Sequence, residues 1–267
     1  MAMNNAQRVA IVSGGAMGYK NGGPSIGGAI AQRLAQDGYA VAVVDTGDMG
    51  QSTVDRIKAA GGQAAFYKAD VTDSQGVAQL VERIAAEMGS LSCLVNCVAR
   101  YSEGMAHDIA AISEEEWHAT LRTNLDGYYL MSKYAVPLMQ KSGGGAIVHL
   151  SSIESFVALP NFSVYSVSKG AIDAMTRSMA VDFAPAIRTN AVAPGFVKIA
   201  NSENGRSPEE LAVWYADIAK DYPMQRVCEV EEVAGVVSFL VSQDASYVNG
   251  QTIVVDGGRT IADRHSF

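Results

Sequence analysis

The chain has 267 residues, 48% of them apolar and 18% charged, with a formal net charge of −8. That is the make-up of a water-soluble globular protein long enough to bury a substantial core, and the excess acid argues against nucleic acid or an anionic membrane as main partner. No apolar run nears the ~18 residues of a membrane span, and the run Val9-Ala10-Ile11-Val12 is too short for a signal-peptide core, so cytoplasmic residence is expected.

In chain order, Arg8 to Ser13 reads as a short buried strand ended by Gly14-Gly15. A helix is predicted from Ser25 to Asp37, with Ile26, Ile30 and Leu34 at helical spacing and Gly38 as its stop. Tyr39 to Val44 is an apolar strand ending at Asp45. Asp48 to Ala60 is helical in pattern, and Gln63 to Ala69 is a strand ending at Asp70. Thr72-Asp73 caps a helix that turns Val77, Leu80, Val81 and Ile84 inward, and Leu91 to Asn96 is a fourth strand. Cys93 and Cys97 share that strand about 13 Å apart, too far for a disulfide, and Cys228 is remote, so free thiols are expected. Ser113 and Glu116 read as a capping box opening one long helix through Leu121, Leu125, Tyr129 and Val136, bent by Pro137. Next come a strand from Ala146 to Leu150, leading to Ser151-Ser152, and a helix carrying Tyr165 and Lys169. A strand from Arg188 to Val192 then ends at Ala193-Pro194-Gly195. A helix begins near Ser207-Pro208-Glu209, another spans Glu229 to Ser242, and Gln251 to Val255 is a last strand.

Strands alternating with helices over residues 1–267 predict an α/β fold: one doubly wound domain with a parallel sheet of about seven strands and helices on both faces. Ligands of such sheets sit at the carboxyl ends of the strands, and Gly14, Asp45, Asp70, Asn96, Ser152 and Pro194-Gly195 each close one. Strand, glycines, helix, strand and acid form the dinucleotide-binding arrangement, in which the backbone approaches the pyrophosphate and the helix amino terminus receives its charge. A carboxylate at Asp45 accepts hydrogen bonds from the adenosine ribose hydroxyls and repels a 2′-phosphate. Thr46 and Gly47 follow it, not a cation, so the expected cofactor is NAD. Tyr165 and Lys169 stand four apart on one helix face, and Ser152 lies at a strand end. A hydroxyl, a phenol and an ammonium are thus expected at one point, the cation lowering the phenol from its reference pKa of about 10 and making Tyr165 an acid/base.

The sum of these pieces resembles the short-chain dehydrogenase/reductase family over nearly the whole chain. The matching segments are Ser13-Gly14-Gly15 with Ile26-Gly27, Ala69-Asp70-Val71, Leu94-Val95-Asn96 and Asn124-Leu125-Asp126-Gly127. They continue with Ser152, Tyr165-x-x-x-Lys169, Asn190 to Gly195, and Gly250-Gln251 to Gly257-Gly258. The resemblance implies that Gly14, Ser25 and Ile26 face the pyrophosphate, Asp70 and Val71 the adenine, and Asn96 the ribose. It implies that Pro194, Gly195 and Val197 meet the carboxamide, that Asn124 holds a catalytic water, and that Lys169 binds ribose hydroxyls. It also implies a homotetramer built on the Asn124 and Tyr165 helices and the final strand.

Four departures stand out. About Met17 to Gly23 is inserted into the glycine turn, leaving Ser25 where a glycine is expected. Its hydroxyl either crowds or donates to a phosphate, and Lys20 in the insertion either folds over the phosphates or stands on a surface loop. Cys97-Val98-Ala99 replaces the usual Asn-Ala-Gly, Ile199 replaces a threonine that Asn201 or Ser202 could stand in for, and His149 replaces a common asparagine. Substrate contacts are expected from Arg100, Glu154 and Phe196, with a lid around residues 196–223. A polar secondary alcohol such as a sugar or polyol is the expected small-molecule substrate. A 3-oxoacyl or small-ketone reductase and a catalytically idle NAD-sensing protein are the alternatives. The enoyl reductase branch is set aside because it spaces its Tyr and Lys more widely. No metal is expected.

Overall fold

The computed structural model describes residues 7–18, 23–203 and 205–263. Among them, seven strands form one sheet in the order β3-β2-β1-β4-β5-β6-β7, every neighbouring pair parallel. The strands are β1 (Arg8–Ser13), β2 (Ala40–Asp45), β3 (Gln63–Lys68), β4 (Ser90–Asn96), β5 (Gly145–Leu150), β6 (Ile187–Pro194) and β7 (Thr252–Val255). Around them run α1 (Ile26–Gln36), α2 (Gly50–Ala59), α3 (Ser74–Met88), α4 (Glu114–Leu121), α5 (Gly127–Lys141), α6 (Ser163–Asp182), α7 (Ala200–Glu203), α8 (Pro208–Ala219) and α9 (Val230–Val241).

The run of apolar residues in β1 is what a strand covered on both faces requires. Ala10 and Val12 pack with α1, α2 and α9 on one side, whereas Val9 and Ile11 pack with α3, α5 and α6 on the other. The sheet is therefore the middle layer of three. Strand order reverses between β1 and β4, and the crevice at that switch point opens at Gly14 on one side and Asn96-Cys97 on the other.

Two local expectations are corrected. The helix through Asn124 is interrupted between α4 and α5 by a π turn over Arg122–Asp126, where the Gly127 N–H donates to the Arg122 carbonyl, while the chain stays helical through Pro137. The capping box at its start is half made. Ser113 Oγ accepts from the Glu116 N–H at 3.1 Å, but the Glu116 carboxylate turns away to Arg100 and Ser102. A complete capping box forms instead at α8, between Ser207 and Glu210. No helix of the described residues is long and apolar enough to cross a membrane.

Candidate active site

The helical register of α6 sets Tyr165 and Lys169 on its buried face, and both are almost wholly enclosed, at 5% and 2% exposure. Lys169 Nζ donates to the Leu150 carbonyl at 2.6 Å and lies 5.5 Å from the centre of the Tyr165 ring. Ser152, two residues past the end of β5, is buried as well, and its hydroxyl reaches the phenol. Asn124 sits on the π turn, fully buried. Its Oδ1 accepts from the Arg100 N–H at 2.7 Å, and its Nδ2 donates to Ser168 Oγ, which donates in turn to the Tyr165 carbonyl. Ser152 after β5, Tyr165 and Lys169 on α6, and Asn124 on the π turn, tied to α6 through Ser168, thus lie at the carboxyl edge of the sheet.

The electrostatics differ from the sequence expectation. Burial pushes the Tyr165 phenol above its ordinary range, and hydrogen bonds from Tyr101 and Ser152 only partly offset it. The same burial brings Lys169 down from 10.5 to about 8. The ammonium is aimed at a backbone carbonyl, so the phenol gains little from it in the protein alone.

The cofactor side is built around two glycines. Gly14 has φ +70°, and a Cβ there would lie 2.8 Å from the Val98 nitrogen. A Cβ at Gly27 would lie 1.9 Å from the Gly14 carbonyl oxygen, so only glycine lets α1 begin this close to β1. The turn thereby leaves the α1 amino terminus facing the crevice, as a bound pyrophosphate requires. Ser25 is the N-cap of α1: its Oγ accepts from the Gly28 N–H at 3.0 Å and donates to the Ala16 carbonyl at 2.6 Å. Its proton is therefore committed to the loop rather than to a phosphate, and Ile26 starts the helix beside it.

Asp45 closes β2 with its carboxylate accepting from the Ala16 and Gly47 N–H groups. Asp70 is exposed and forms a turn onto the Thr72 N–H, while Val71 is buried against Gly127. Asn96 is fully buried, accepting from Ser13 Oγ and facing Ser132 Oγ and His149 Nδ1. Pro194 ends β6, the Gly195 N–H donates to the Val255 carbonyl, and Val197 bridges to Cys228. Lys20 lies outside the described residues. The flanks of its loop close by a Gly18 N–H to Gly23 carbonyl bond, and Pro24 accepts from the Ala200 N–H at the start of α7.

On the substrate side, Arg100 already has a partner. Its guanidinium is engaged by the Glu116 carboxylate through both Nε and an Nη, at 3.2 and 3.0 Å. Glu154 stands in the single turn after Ser152, and Phe196 packs edge-on against Trp214 of α8 at 5.2 Å. Tyr101, which the sequence reading did not single out, lays its ring 4.9 Å from that of Tyr165.

The comparisons with known proteins agree with this geometry. The family model described as enoyl-(acyl carrier protein) reductase matches residues 22–260. A cis-4-hydroxycyclohexanecarboxylate dehydrogenase of Sinomonas cyclohexanicum is 38% identical, covering 96% of this chain and 97% of its own. A cyclohexanol dehydrogenase of an Acinetobacter strain is 34% identical over 95% of both. The ligand-free aldohexose dehydrogenase of Thermoplasma acidophilum superposes with a TM-score of 0.86 at 33% identity, covering 98% of this chain and 97% of that one. The chain belongs to the short-chain dehydrogenase/reductase family.

It is thus an oxidoreductase of a family that binds a nicotinamide cofactor. The family match begins at residue 22, beyond most of the segment from Met17 to Gly23. Ser202, one of the two residues offered in place of the threonine missing at Ile199, spends its hydroxyl on the Ile199 carbonyl at 2.9 Å.

Proposed function

We propose that the protein is an NAD-dependent dehydrogenase interconverting a polar secondary alcohol and its ketone. The observation that supports this reading is the Ser152 hydroxyl on the Tyr165 phenol with Lys169 beside the ring, Asn124 being tied to the same helix through Ser168. A bound nicotinamide supplies the hydride acceptor, and the residues of the chain orient the alcohol and move its proton. Tyr165 takes the hydroxyl proton during oxidation and returns it in reduction, while Ser152 donates to the substrate oxygen and steadies the charge that develops there. Lys169 binds the ribose hydroxyls, and Asn124 links it through water to solvent.

Gly14, Ser25 and Ile26 hold the pyrophosphate, with Asp70 and Val71 at the adenine and Asn96 behind the ribose. Pro194, Gly195 and Val197 meet the carboxamide. Asp45 favours NAD because a 2′-phosphate would face its charge. Residues 196–223 act as a lid on the single domain. In support, α8 buries none of its residues fully and rests on the contacts of its Trp214 and Tyr215 rings with Phe196 and on Lys198 over the Tyr215 ring. Phe196 is then a substrate wall.

The relatives acting on cyclohexanol, hydroxycyclohexanecarboxylate and aldohexoses favour a ring-sized polar alcohol such as a sugar or cyclic polyol. A 3-oxoacyl reductase of Staphylococcus aureus, 34% identical, keeps small-ketone reduction as the second reading. We assign the enzyme to the cytoplasm, with unpaired cysteines, and to a homotetramer.

The test is a screen of NAD and NADP reduction over sugars, cyclic polyols, hydroxy acids and aliphatic alcohols. The expected result is turnover of cyclic or polyhydroxylated alcohols with kcat/KM for NAD about a hundredfold above NADP, the effect of about 3 kcal/mol of charge repulsion. Equal use of the two cofactors would remove the role of Asp45. Cofactor binding without turnover of any alcohol would favour an idle NAD-sensing protein.

A further inference from the structure

Among the described residues, Glu154 is an acid beside Ser152 that the proposed reaction does not use. It follows Ser152 in a single turn over Ile153–Ser155, and its N–H donates to Ser152 Oγ at 3.2 Å. The turn is therefore tied to the very hydroxyl that faces the reacting oxygen. Glu154 Oε2 is buried and has no hydrogen-bond partner among the described residues. Because Glu154 is tied to Ser152, whose hydroxyl reaches the Tyr165 phenol, its carboxyl stands beside that phenol, and its charge is felt by Tyr165, Tyr101 and Lys169.

Neither cation near the site completes it. Lys169 Nζ is held by the Leu150 carbonyl, and Arg100 by Glu116. Buried acceptors in folded proteins are satisfied as a rule, so an empty one beside the reacting centre calls for a donor brought by a ligand. The surrounding walls are flat. The Tyr101 ring lies over Tyr165, and Phe162 meets the Tyr165 ring edge-on at 6.5 Å.

We propose that Glu154 selects substrates carrying a second hydroxyl beside the reacting carbinol, accepting that hydroxyl's hydrogen bond on its free oxygen. The inference rests on the dehydrogenase reading above and names the substrate class within it: vicinal diols and the polyols that contain them, in preference to simple alcohols.

A pH signature accompanies the geometry. The groups facing Glu154 are Lys169 and Tyr165 from α6 and Tyr101 from the segment after β4. Burial outweighs the attraction of Lys169 and lifts the carboxyl from 4.5 to about 7. A hydroxyl donates more strongly to a carboxylate than to a neutral acid. Preference for the diol must therefore grow as pH rises through about 7 and fade below it, as the carboxyl takes up its proton.

The experiment compares kcat/KM for trans-1,2-cyclohexanediol and cyclohexanol from pH 5.5 to 8.5, in the native enzyme and in Glu154→Gln and Glu154→Ala. Both alcohols share the titrations of Tyr165 and Lys169, so their ratio cancels them. The native ratio of diol to cyclohexanol should rise about tenfold across the range, the effect of one charge-assisted hydrogen bond. It should be flat in Glu154→Gln and about tenfold lower at pH 8.5 in Glu154→Ala. The native profile needs no variant, so poor folding of either variant leaves the test intact. Calorimetric affinities of the two alcohols for the native protein with NAD give a second readout. A native ratio independent of pH, or equal affinities for the two alcohols, overturns the role of Glu154 and leaves the dehydrogenase standing. Tighter diol binding without any turnover overturns the dehydrogenase reading and keeps the role of Glu154.

Discussion

Tyr165 poses the residue-scale question, because a base must lose its proton and burial opposes that. In the protein alone the phenol stands above its ordinary range, and the opposing hydrogen bonds come from Ser152 and Tyr101 rather than from Lys169. The ammonium at 5.5 Å from the ring is directed at the Leu150 carbonyl and is itself brought down to about 8. The expected cation effect therefore needs a rearranged ammonium, or the added positive charge of a bound oxidised nicotinamide. Oxidation should accordingly speed up as pH rises, since the ionised phenol is the accepting form. Tyr165→Phe removes the acceptor while keeping the ring packed between Tyr101 and Phe162. We expect kcat/KM to fall by about 10²- to 10⁴-fold, the usual weight of a positioned acid/base, with the NAD dissociation constant changed by less than about threefold. Steady-state rates and fluorescence titration with NADH check the two parts, and a variant retaining most of its turnover would remove Tyr165 from the chemistry.

At the scale of elements, the glycine turn shows how a departure from a family pattern is absorbed. With the insertion in place, Ser25 serves as both N-cap and tether, one hydroxyl joining the Gly28 N–H to the Ala16 carbonyl. Ser25→Ala should cost about 1–2 kcal/mol for the lost cap, a fall in Tm of about 2–6 °C for a chain of this size. NAD affinity should weaken several-fold as the loop loosens. Thermal denaturation with and without NAD checks both, and an unchanged Tm would show the cap to be idle. The elements themselves were legible because apolar runs and helical spacing are local signals: all seven strands, the helix cap at Asp73 and the helix starts at Ser25 and Ser207 fall where the pattern puts them. The π turn was not legible, since one wide turn hardly disturbs a helical period. Glu116 was misread for a different reason. A capping box and an ion pair compete for the same carboxylate, and the winner, Arg100, sits sixteen residues away. The spacing of Tyr165 and Lys169 was readable within one helix. The Tyr101 ring over Tyr165, and the Ser13, Ser132 and His149 side chains around Asn96, come together only through the tertiary fold.

For the whole molecule, the outer face of α6 holds a feature that the fold of one chain leaves without a purpose. Glycine inside a helix costs about 1 kcal/mol relative to alanine. At Gly170 a Cβ would meet nothing within 4 Å, so the packing of the chain itself does not require the small residue. Ser166 and Ala174 lie one turn to either side, and the flanking Val167 and Val181 are 46% and 79% exposed. Tyr129 of α5 and Val254 of β7 are also open to solvent, on the two other elements assigned to subunit contacts. Apolar surface grouped around a small-residue stripe fits another helix approaching closely, and closed symmetric assembly is the usual outcome. Gly170→Leu separates the two roles. It should leave the fold intact or raise helix stability slightly, because the new side chain enters open space and leucine is the better helix former. It should also drive apart any helix seated on the stripe. At a concentration where the native protein sediments as a tetramer, the variant is expected to sediment as dimer or monomer with unaltered secondary structure. A tetramer persisting in Gly170→Leu would mean that α6 is not at the interface, and a native protein sedimenting as a monomer would remove the assembly altogether.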